Sequence, residues 1–315
     1  MTTGRKAGWE SIFSDLVEYL SRLAIRASAI FESLEGELMD KVGVVYLDRW
    51  NNPPEFPRAF LDSLARNPTT AKYDLIWQFK GYPDELENPV LSEFSGAFDG
   101  ALHVCRYPDD LFQFSLSFDA ARRFEYTYLI FFISWSRILA PCWLDYYLDT
   151  FDRYPNCGVV GATGSYEKLF YYQAFPNPHI RTNAFMMRRD VFLSLDAGEL
   201  KSIFDGNLLE AGPNSLTRQL ESRGLQTLVI DRFGKAFKPP DWPRSRTFRR
   251  GAQGGLLVAD NRTDEYGKAA EKIRRKLEKQ AWGHPVKGLA TRLRFSTSWR
   301  LQQLARHLAP TPPDP

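Results

Sequence analysis

Three cationic side chains border short apolar runs in this chain. Lys80 follows "YDLIWQF", Arg137 follows "YTYLIFFISWS", and Arg181 precedes "TNAFMM". Arginine offers a two-pronged donor to phosphate oxygens and lysine offers a compact positive charge, so together these cations could bind a diphosphate as a metal ion does. Each of them could equally be an ordinary cation at the end of a strand.

Two hydroxyl groups, Ser134 and Ser136, flank Trp135 directly after an apolar run. They could donate hydrogen bonds to phosphate or sugar oxygens, or they could simply satisfy nearby backbone groups, as serine often does. Two serines cannot replace two carboxylates as ligands of a hard divalent cation. Asp119 in "SFDAARRF" is a remaining carboxylate that could hold manganese or magnesium through water. We nevertheless expect the diphosphate to bind without a metal ion.

Short apolar runs and helical stretches alternate from Lys41 onward. The runs are "VGVVYL", "YDLIWQF", "FDGALHVCRY", "YTYLIFFI" and "CGVVGATG", and the helical stretches between them are "FPRAFLDSLARN", "LSFDAARRF" and "CWLDYYLDTF". This alternation predicts an α/β fold with a mainly parallel sheet flanked by helices. Such sheets bind ligands at the carboxyl ends of their strands, so the loops after Leu47, Phe79, Tyr107 and Ile133 are expected to share one site.

The composition indicates a globular protein with a sizeable core, because 43% of the 315 residues are hydrophobic and 14% are aromatic. No apolar run reaches the ~20 residues of a spanning helix, and the N-terminus does not resemble a secretory signal. Three cysteines without paired spacing suit reduced thiols rather than a metal site. We therefore expect a cytoplasmic protein.

Both ends of the chain differ from its middle. Residues 9–38 have the apolar spacing of an amphipathic helix, which packs on the core, on a second copy or on a membrane surface. From Lys268 onward the chain has 11 basic and 3 acidic residues. This helical tail could bind the anionic inner face of the plasma membrane, with Trp282, Phe295, Trp299 and Leu301 as apolar contacts, or it could pack on the core. We predict an N-terminal helix at 1–40, a main domain at 41–265 and a basic tail at 266–315.

Five segments carry a family resemblance: "YDLIWQFKGY", "FFISWSRILAPCWL", "CGVVGATGSYE", "FPNPHIRTNAFMMRRDVF" and "EAGPNSLTRQLESRGL". In this order they resemble bacterial glycosyltransferases of the GT-A fold, the family 2-like class that builds surface polysaccharides and lipopolysaccharide. The resemblance covers about residues 41–265. It implies a nucleotide-sugar donor, a glycan or lipid-linked acceptor and a GT-A-like sheet.

The chain departs from that family at three positions. The usual acidic turn after the second strand is Lys80-Gly81-Tyr82-Pro83-Asp84 here, and the usual metal-binding Asp-x-Asp is Ser134-Trp135-Ser136. The usual Glu-Asp pair at the start of the late helix is Glu210-Ala211-Gly212. If the chain is a transferase, the charge of the departing diphosphate must therefore be compensated by cations. A catalytically degenerate domain that binds a nucleotide sugar or a partner protein is the alternative.

The resemblance also assigns the catalytic base. It puts Glu210 at the head of the helix that runs through Ser215 and Arg218, where the helix dipole would keep the carboxylate ionised and ready to accept the acceptor's proton. The alternative is that Glu210 only caps this helix.

Two loops are candidates for the remaining contacts. After the first strand, Asp48 could accept from a base or ribose hydroxyl and Trp50 could stack on a base, unless Trp50 only packs within its loop. Asn183, Trp242 and Arg249 are the candidates for the acceptor. The loop "PPDWPRSRTFRRGAQ" would then form an acceptor lid, although it could also be a solvated basic loop.

Other functional classes fit poorly. The basic tail suggests nucleic-acid binding, but the first 267 residues have 30 basic against 35 acidic residues and no nucleic-acid motif. A dinucleotide-binding oxidoreductase would have a glycine-rich turn where this chain has "VGVVYLDRW". Four scattered histidines do not suit a metal-dependent hydrolase.

Overall fold

The central strands are apolar on both faces, as expected of a sheet covered by helices on each side. A computed structural model describes residues 41–83, 89–96, 98–283, 297 and 301. Its main sheet has the order β11-β10-β6-β9-β4-β1-β2-β3. The strands of this sheet are β1 (Val42–Arg49), β2 (Asp74–Lys80), β3 (Leu102–Tyr107), β4 (Tyr128–Phe132), β6 (Cys157–Gly161), β9 (Ala184–Arg188), β10 (Gln226–Ile230) and β11 (Ala236–Phe237).

Six of these eight strands run in one direction. β1, β2, β3 and β4 are joined by parallel pairings, as are β6 and β10, whereas β9 runs antiparallel to both β4 and β6, and β11 runs antiparallel to β10. Two small antiparallel pairs lie outside the sheet. They are β5 (Arg137–Ile138) with β12 (Val258–Ala259), and β7 (Gly164–Ser165) with β8 (His179–Ile180).

The described helices cover both faces of the sheet. They are α1 (Glu55–Arg66), α2 (Pro89–Ser95), α3 (Gln113–Arg123), α4 (Trp143–Arg153), α5 (Arg189–Leu193), α6 (Ile203–Ala211), α7 (Leu216–Ser222), α8 (Trp242–Ser245), α9 (Asn261–Lys268) and α10 (Glu271–Trp282). Neighbouring residues of β1 belong to the hydrophobic cores on opposite faces of the sheet. Tyr46 lies in the core shared with α1, α2 and α4, and Val45 lies in the core shared with α3, α5, α6 and α7. The predicted α/β fold with a mainly parallel sheet flanked by helices is therefore confirmed.

The carboxyl ends of β1 to β4 meet at one edge of the sheet. From β1 the chain first adds β2 and β3 on one side, and then crosses to add β4 on the other. Such a reversal opens a crevice between the loops that follow the two central strands. The loops after β1 and β4 begin at Trp50 and Ile133, so the crevice lies where the sequence predicted a shared site.

The first helix of the basic tail packs on the core. The indole of Trp282 is buried, its Nε1 donates to the Phe248 carbonyl at 2.7 Å, and the Tyr166 amide donates to the Ala281 carbonyl at 3.0 Å. The proposed lipid contact of Trp282 is therefore wrong, because its apolar surface is already covered by protein. The exposed basic residues of α10 are Lys272, Arg275, Lys276 and Lys279.

Several sequence-based predictions lie outside the described residues. These are the N-terminal helix within residues 1–40 and the tail positions Phe295 and Trp299; Leu301 is described, and it is exposed. In the part of the chain that the structure describes, no helix combines the length and the apolar content needed to cross a membrane.

Candidate functional site

Ser134 and Ser136 join the loop after β4 to its neighbours. The Ser134 hydroxyl donates to the Leu47 carbonyl at 2.6 Å, and the Ser136 hydroxyl donates to the Asn183 carbonyl at 2.8 Å while it accepts from the Ile133 amide at 3.2 Å. Both side chains are buried. Because each hydroxyl has a single proton and already donates it to backbone, the geometry favours the structural role of these serines over phosphate binding.

This donor set does not fit a hard divalent cation either. The two hydroxyls point to carbonyl groups, and neither brings a negative charge. Asp119 lies away from this loop, on α3, where it accepts from the Tyr107 hydroxyl at 2.5 Å and pairs with Arg123 at 3.4 Å. Within the described ranges, no cluster of three His, Cys, Asp or Glu side chains could hold a metal ion.

At the β1 end of the crevice, Asp48 supports an exposed tryptophan. The buried carboxylate of Asp48 accepts from Trp77 Nε1 at 3.1 Å and from the Tyr82 hydroxyl at 2.8 Å. Burial, together with the charge of Asp48, raises the pKa of the Tyr82 phenol, which therefore stays a donor. The Trp50 ring meets the Tyr82 ring edge-on at 5.1 Å and is 47% exposed. Trp50 thus presents an aromatic surface to solvent beside the crevice.

Lys80 is part of an ion-pair cluster around Asp109. Its ammonium contacts the Asp109 carbonyl at 2.7 Å and the carboxylate at 2.8 Å, while Arg49 pairs with the same carboxylate through two hydrogen bonds of 2.9 and 3.0 Å. Hydrogen bonds from Arg49 and Lys80 hold the pKa of the Asp109 carboxyl well below its usual range. Two cations share one carboxylate, so this cluster keeps an excess positive charge.

Arg137 and Arg181 each have a different acidic partner. Arg137 Nη2 contacts both carboxylate oxygens of Asp264 at 2.8 Å. Arg181 Nη1 lies 2.9 Å from Oδ2 of the buried Asp260.

The expected convergence of Lys80, Arg137 and Arg181 is therefore wrong. The first reason is that each of the three cations already pairs with a different carboxylate, Asp109, Asp264 or Asp260. The second is that Lys80 ends β2 and Arg181 precedes β9, three strand spacings or roughly 14 Å away across the sheet. The two cations therefore start from well-separated strands of the sheet.

Arg181 has a rigid position at the crevice. Its guanidinium stacks on the Phe248 ring at 4.1 Å, its backbone amide donates to the Thr163 carbonyl at 3.0 Å, and Nη1 lies 3.4 Å from the Thr163 hydroxyl. Among the described residues, no hydrogen bond occupies its Nε or Nη2. Arg181 therefore has donors left for a ligand.

Asn183 lies beside Arg181 with an unused donor. The Thr163 hydroxyl donates to Asn183 Oδ1 at 2.5 Å, which orients the amide. The Asn183 side chain is buried, and its Nδ2 has no hydrogen-bond partner among the described residues. Because a buried donor without a partner is costly, a ligand oxygen at this position is a physically sensible partner.

Glu210 lies next to the segment of Arg181 and Asn183 along the site, but on a different helix from the one expected. It lies in the last turn of α6, not at the head of α7, so it does not cap α7 and the favourable end of a helix dipole is not available to it. Its carboxylate accepts from the Thr182 hydroxyl at 2.6 Å, and Thr182 stands between Arg181 and Asn183. Buried His179 is close by, and burial lowers the pKa of its imidazole against the opposing charge of Glu210.

Two side chains of the predicted acceptor lid, Trp242 and Arg249, are buried in the protein. Trp242 is fully buried and its Nε1 donates to the Phe237 carbonyl at 3.1 Å. Arg249, also buried, pairs with Glu167 at 2.6 Å and with Glu265 at 3.1 Å. Trp242 and Arg249 are therefore wrong as acceptor contacts, because neither side chain is accessible.

Sequence reasoning missed the acidic partners of these cations. Asp260 accepts from the Thr263 amide in a capping box at the start of α9, a local pattern that "ADNRT" displays. The pattern predicts a helix start, but it does not reveal that Asp260 also faces Arg181. Asp109 and Thr163 had no sequence signal that we recognise.

No protein-family model and no curated protein sequence matches the chain. Its structural neighbours include GalNAc-T7 with UDP, GalNAc and Mn2+, at 14% identity and a TM-score of 0.43, over 61% of this chain and 42% of that one. Mouse xyloside xylosyltransferase 1 in its apo form aligns at 11% identity and a TM-score of 0.35, over 59% and 77% of the two chains. CMP:2-keto-3-deoxy-manno-octonic acid synthetase with CTP aligns at 12% identity and a TM-score of 0.37, over 60% of this chain and 89% of that one. At such low similarity, the substrate and the catalytic residues of this chain must be inferred from its own geometry.

Proposed function

We propose that this chain is a glycosyltransferase that moves a sugar from a nucleotide-sugar donor to a glycan or lipid-linked acceptor. One observation supports this most directly. A single edge of the parallel sheet presents an exposed aromatic ring, Trp50, at the β1 end, and the group Arg181, Asn183 and Glu210 at the β9 end. An aromatic surface for a base and polar groups for a sugar phosphate are the two halves that a nucleotide sugar requires.

In this proposal the base stacks on Trp50, and the diphosphate lies across the carboxyl ends of β1 and β4. Arg181 donates to the departing phosphate, and Asn183 Nδ2 donates to a phosphate or sugar oxygen. The acceptor hydroxyl forms a bond to the anomeric carbon while the bond to the nucleoside diphosphate breaks. Glu210 takes the proton of that hydroxyl.

The buried carboxylate of Asp260 orients Arg181 for this role. Phe248 blocks one face of the guanidinium and Asp260 binds Nη1, so Nε and Nη2 remain for the ligand. A preorganised donor of this kind stabilises developing negative charge without having to reorganise during the reaction. No step in this scheme uses a metal ion, since the donor set at Ser134 and Ser136 does not fit one.

A degenerate binding module is the second candidate, and the ion pairs favour it. Lys80 and Arg137, two of the three cations expected to replace the metal, are bound to Asp109 and Asp264. A domain with internally compensated cations could bind a nucleotide sugar or a partner transferase without turnover. Contact of the exposed basic face of α10 with the cytoplasmic surface of a membrane, during surface glycan synthesis, is compatible with either candidate.

The deciding experiment is a calorimetric titration of the whole chain with UDP, GDP, CMP and dTDP, each with manganese and with chelator. Binding of one nucleotide that survives the chelator supports the proposal and names the donor class. Hydrolysis or transfer of the matching nucleotide sugar then separates an enzyme from a binding module. If none of the nucleotides binds under either condition, the transferase proposal is wrong.

A further inference from the structure

A group of exposed apolar residues lies outside the predicted acceptor lid. We call it the aromatic platform. It consists of Leu169, Phe170, Tyr171, Tyr172, Ile203 and Phe204. Tyr171 is 93% exposed and Ile203 is 71% exposed. Single exposed apolar residues are ordinary on protein surfaces, but a contiguous group of this size indicates a binding surface.

The rings of the platform have a defined arrangement. Phe170 and Tyr172 are nearly parallel, with an interplanar angle of 10° and centroids 5.5 Å apart. Phe204 meets Phe170 edge-on at 5.3 Å, and Tyr171 meets Tyr172 edge-on at 5.5 Å. Mutual packing therefore orients Phe170, Tyr172 and Phe204 before any ligand arrives, which lowers the entropic cost of binding.

The platform adjoins the carboxylate proposed as base. Helix α6 begins with Ile203 in the platform and carries Glu210 in its last turn, about 10 Å further along its axis. Gln173, next to Tyr172 in the loop, donates to the Ala211 carbonyl at 2.5 Å, and Asn177 donates to the same carbonyl at 2.9 Å. The loop that bears the tyrosines is thus held to the residue that follows Glu210.

Charge and hydrogen bonding favour a neutral polyhydroxylated ligand. The bordering ions cancel, because Lys201 pairs with Glu199 at 2.7 Å and the single charges of Lys168 and Asp205 have opposite sign. A surface that binds anionic lipid would carry a cationic excess. In the described part of the chain, the Tyr171 and Tyr172 hydroxyls have no hydrogen-bond partner, so they are available to sugar hydroxyls. The C–H face of a pyranose ring also suits the negative face of an aromatic ring.

We propose that the aromatic platform binds neutral pyranose units of a glycan acceptor and leads the acceptor hydroxyl toward Glu210. This inference rests on the proposed function, for which it names the acceptor class. The platform takes the acceptor-binding role that the sequence analysis gave to the buried loop around Trp242. Tyr171 and Tyr172 supply the main stacking surfaces, and Phe170 and Phe204 hold them in place.

Saturation-transfer difference NMR on the full chain tests this proposal. The probes are maltohexaose, cellohexaose and mannohexaose, each measured alone, with saturation applied to the aromatic protons. We expect at least one probe to receive saturation, mainly at C–H protons on one face of its rings. The Tyr171→Ala/Tyr172→Ala variant should bind that probe at least about tenfold more weakly. Tyr171→Phe/Tyr172→Phe keeps the rings and should retain most of the binding.

Phe233→Ala is the matched control, because Phe233 is also an exposed aromatic residue, 73% accessible, on the β10–β11 turn. It should leave oligosaccharide binding unchanged. The proposal is overturned if no probe receives saturation, or if the double alanine variant binds like the wild type. It is equally overturned if that variant instead abolishes binding to neutral phosphatidylcholine vesicles, or self-association measured by sedimentation.

The nucleotide titration separates this inference from the proposed function. If oligosaccharide binding depends on the platform and a nucleotide binds equally to wild type and double variant, both stand. If no nucleotide binds but platform-dependent oligosaccharide binding persists, the platform stands as a carbohydrate site and the transferase proposal falls.

Discussion

Arg181 Nη1 lies 2.9 Å from Oδ2 of Asp260, and the carboxylate of Asp260 is completely buried. This pair connects the start of α9 to the residues that precede β9, at the edge of the sheet where the candidate site lies. The site therefore depends on a segment far along the chain from the central strands.

Asp260→Asn should destabilise the protein by about 3 kcal/mol, because it leaves the charge of a largely buried arginine uncompensated. Asparagine still caps α9, so the loss reports the ion pair rather than the cap. Urea unfolding measures it. Asp264→Asn is the matched control, since the Arg137–Asp264 pair is about one-third exposed and should contribute less than ~1 kcal/mol. Equal losses in the two variants would contradict the special role of Asp260.

Ser136→Ala should cost about 1–3 kcal/mol, because it removes the shorter hydrogen bond of both the Asn183 carbonyl and the Ile133 amide and leaves them only their 3.4 Å contact with each other. Ser95→Ala, which removes an exposed hydroxyl bound to the Ser92 carbonyl, should change stability by less than about 0.5 kcal/mol. Both values come from denaturant unfolding. A fully stable Ser136→Ala variant that no longer binds nucleotide would instead restore the phosphate-donor role of this serine.

Trp50→Ala should weaken nucleotide binding by about tenfold or more, because stacking on an aromatic side chain contributes ~1–3 kcal/mol per base. The measurement is the dissociation constant of the nucleotide found by titration. Folding should be unaffected, since the ring is nearly half exposed. Phe233→Ala removes an exposed ring elsewhere and should bind the nucleotide normally. Undiminished binding by Trp50→Ala would move the base to another part of the crevice.

Glu210→Gln should lower the turnover rate by about a hundredfold or more while nucleotide binding stays unchanged, because general base catalysis contributes ~100–10,000-fold. Turnover is measured with the nucleotide sugar that matches the bound nucleotide. Glu271→Gln alters an exposed carboxylate on α10, away from the site, and should have normal turnover. Normal transfer by Glu210→Gln would rule out its role as the base.

The stability of the Asp109 cluster should depend on pH. The folded-state pKa of Asp109 is depressed, so the folded protein binds fewer protons there than the unfolded chain and stability rises with pH. The contribution is fully present above the unfolded value of about 3.9 and is lost as pH falls toward the folded value. Urea unfolding of wild type and Asp109→Asn should therefore differ at pH 7 and converge at low pH. A difference that stays constant through the acidic range would contradict this assignment.

The order of strands and helices in the main domain could be predicted from the sequence by itself. Fully apolar runs such as "YLIFF" reflect burial on both faces, and the helices between them have their own period, so the pattern is local. The edge of the sheet that holds the site follows as well, because parallel strands bring their carboxyl ends together. Ser134 and Arg181 were placed at that edge by sequence position alone.

Only the tertiary structure decided which of these side chains remain available to a ligand. Arg137 meets Asp264 and Arg181 meets Asp260 across long stretches of chain, and no local pattern encodes such pairs. Trp242 and the segment "LFYYQAF" both show that local sequence does not predict burial. A tryptophan in a Pro- and Arg-rich loop is fully buried, while Tyr171 in an apolar run is almost fully exposed. Burial depends on what packs against a residue, so the local pattern of apolar residues determined the fold class and long-range packing determined the site.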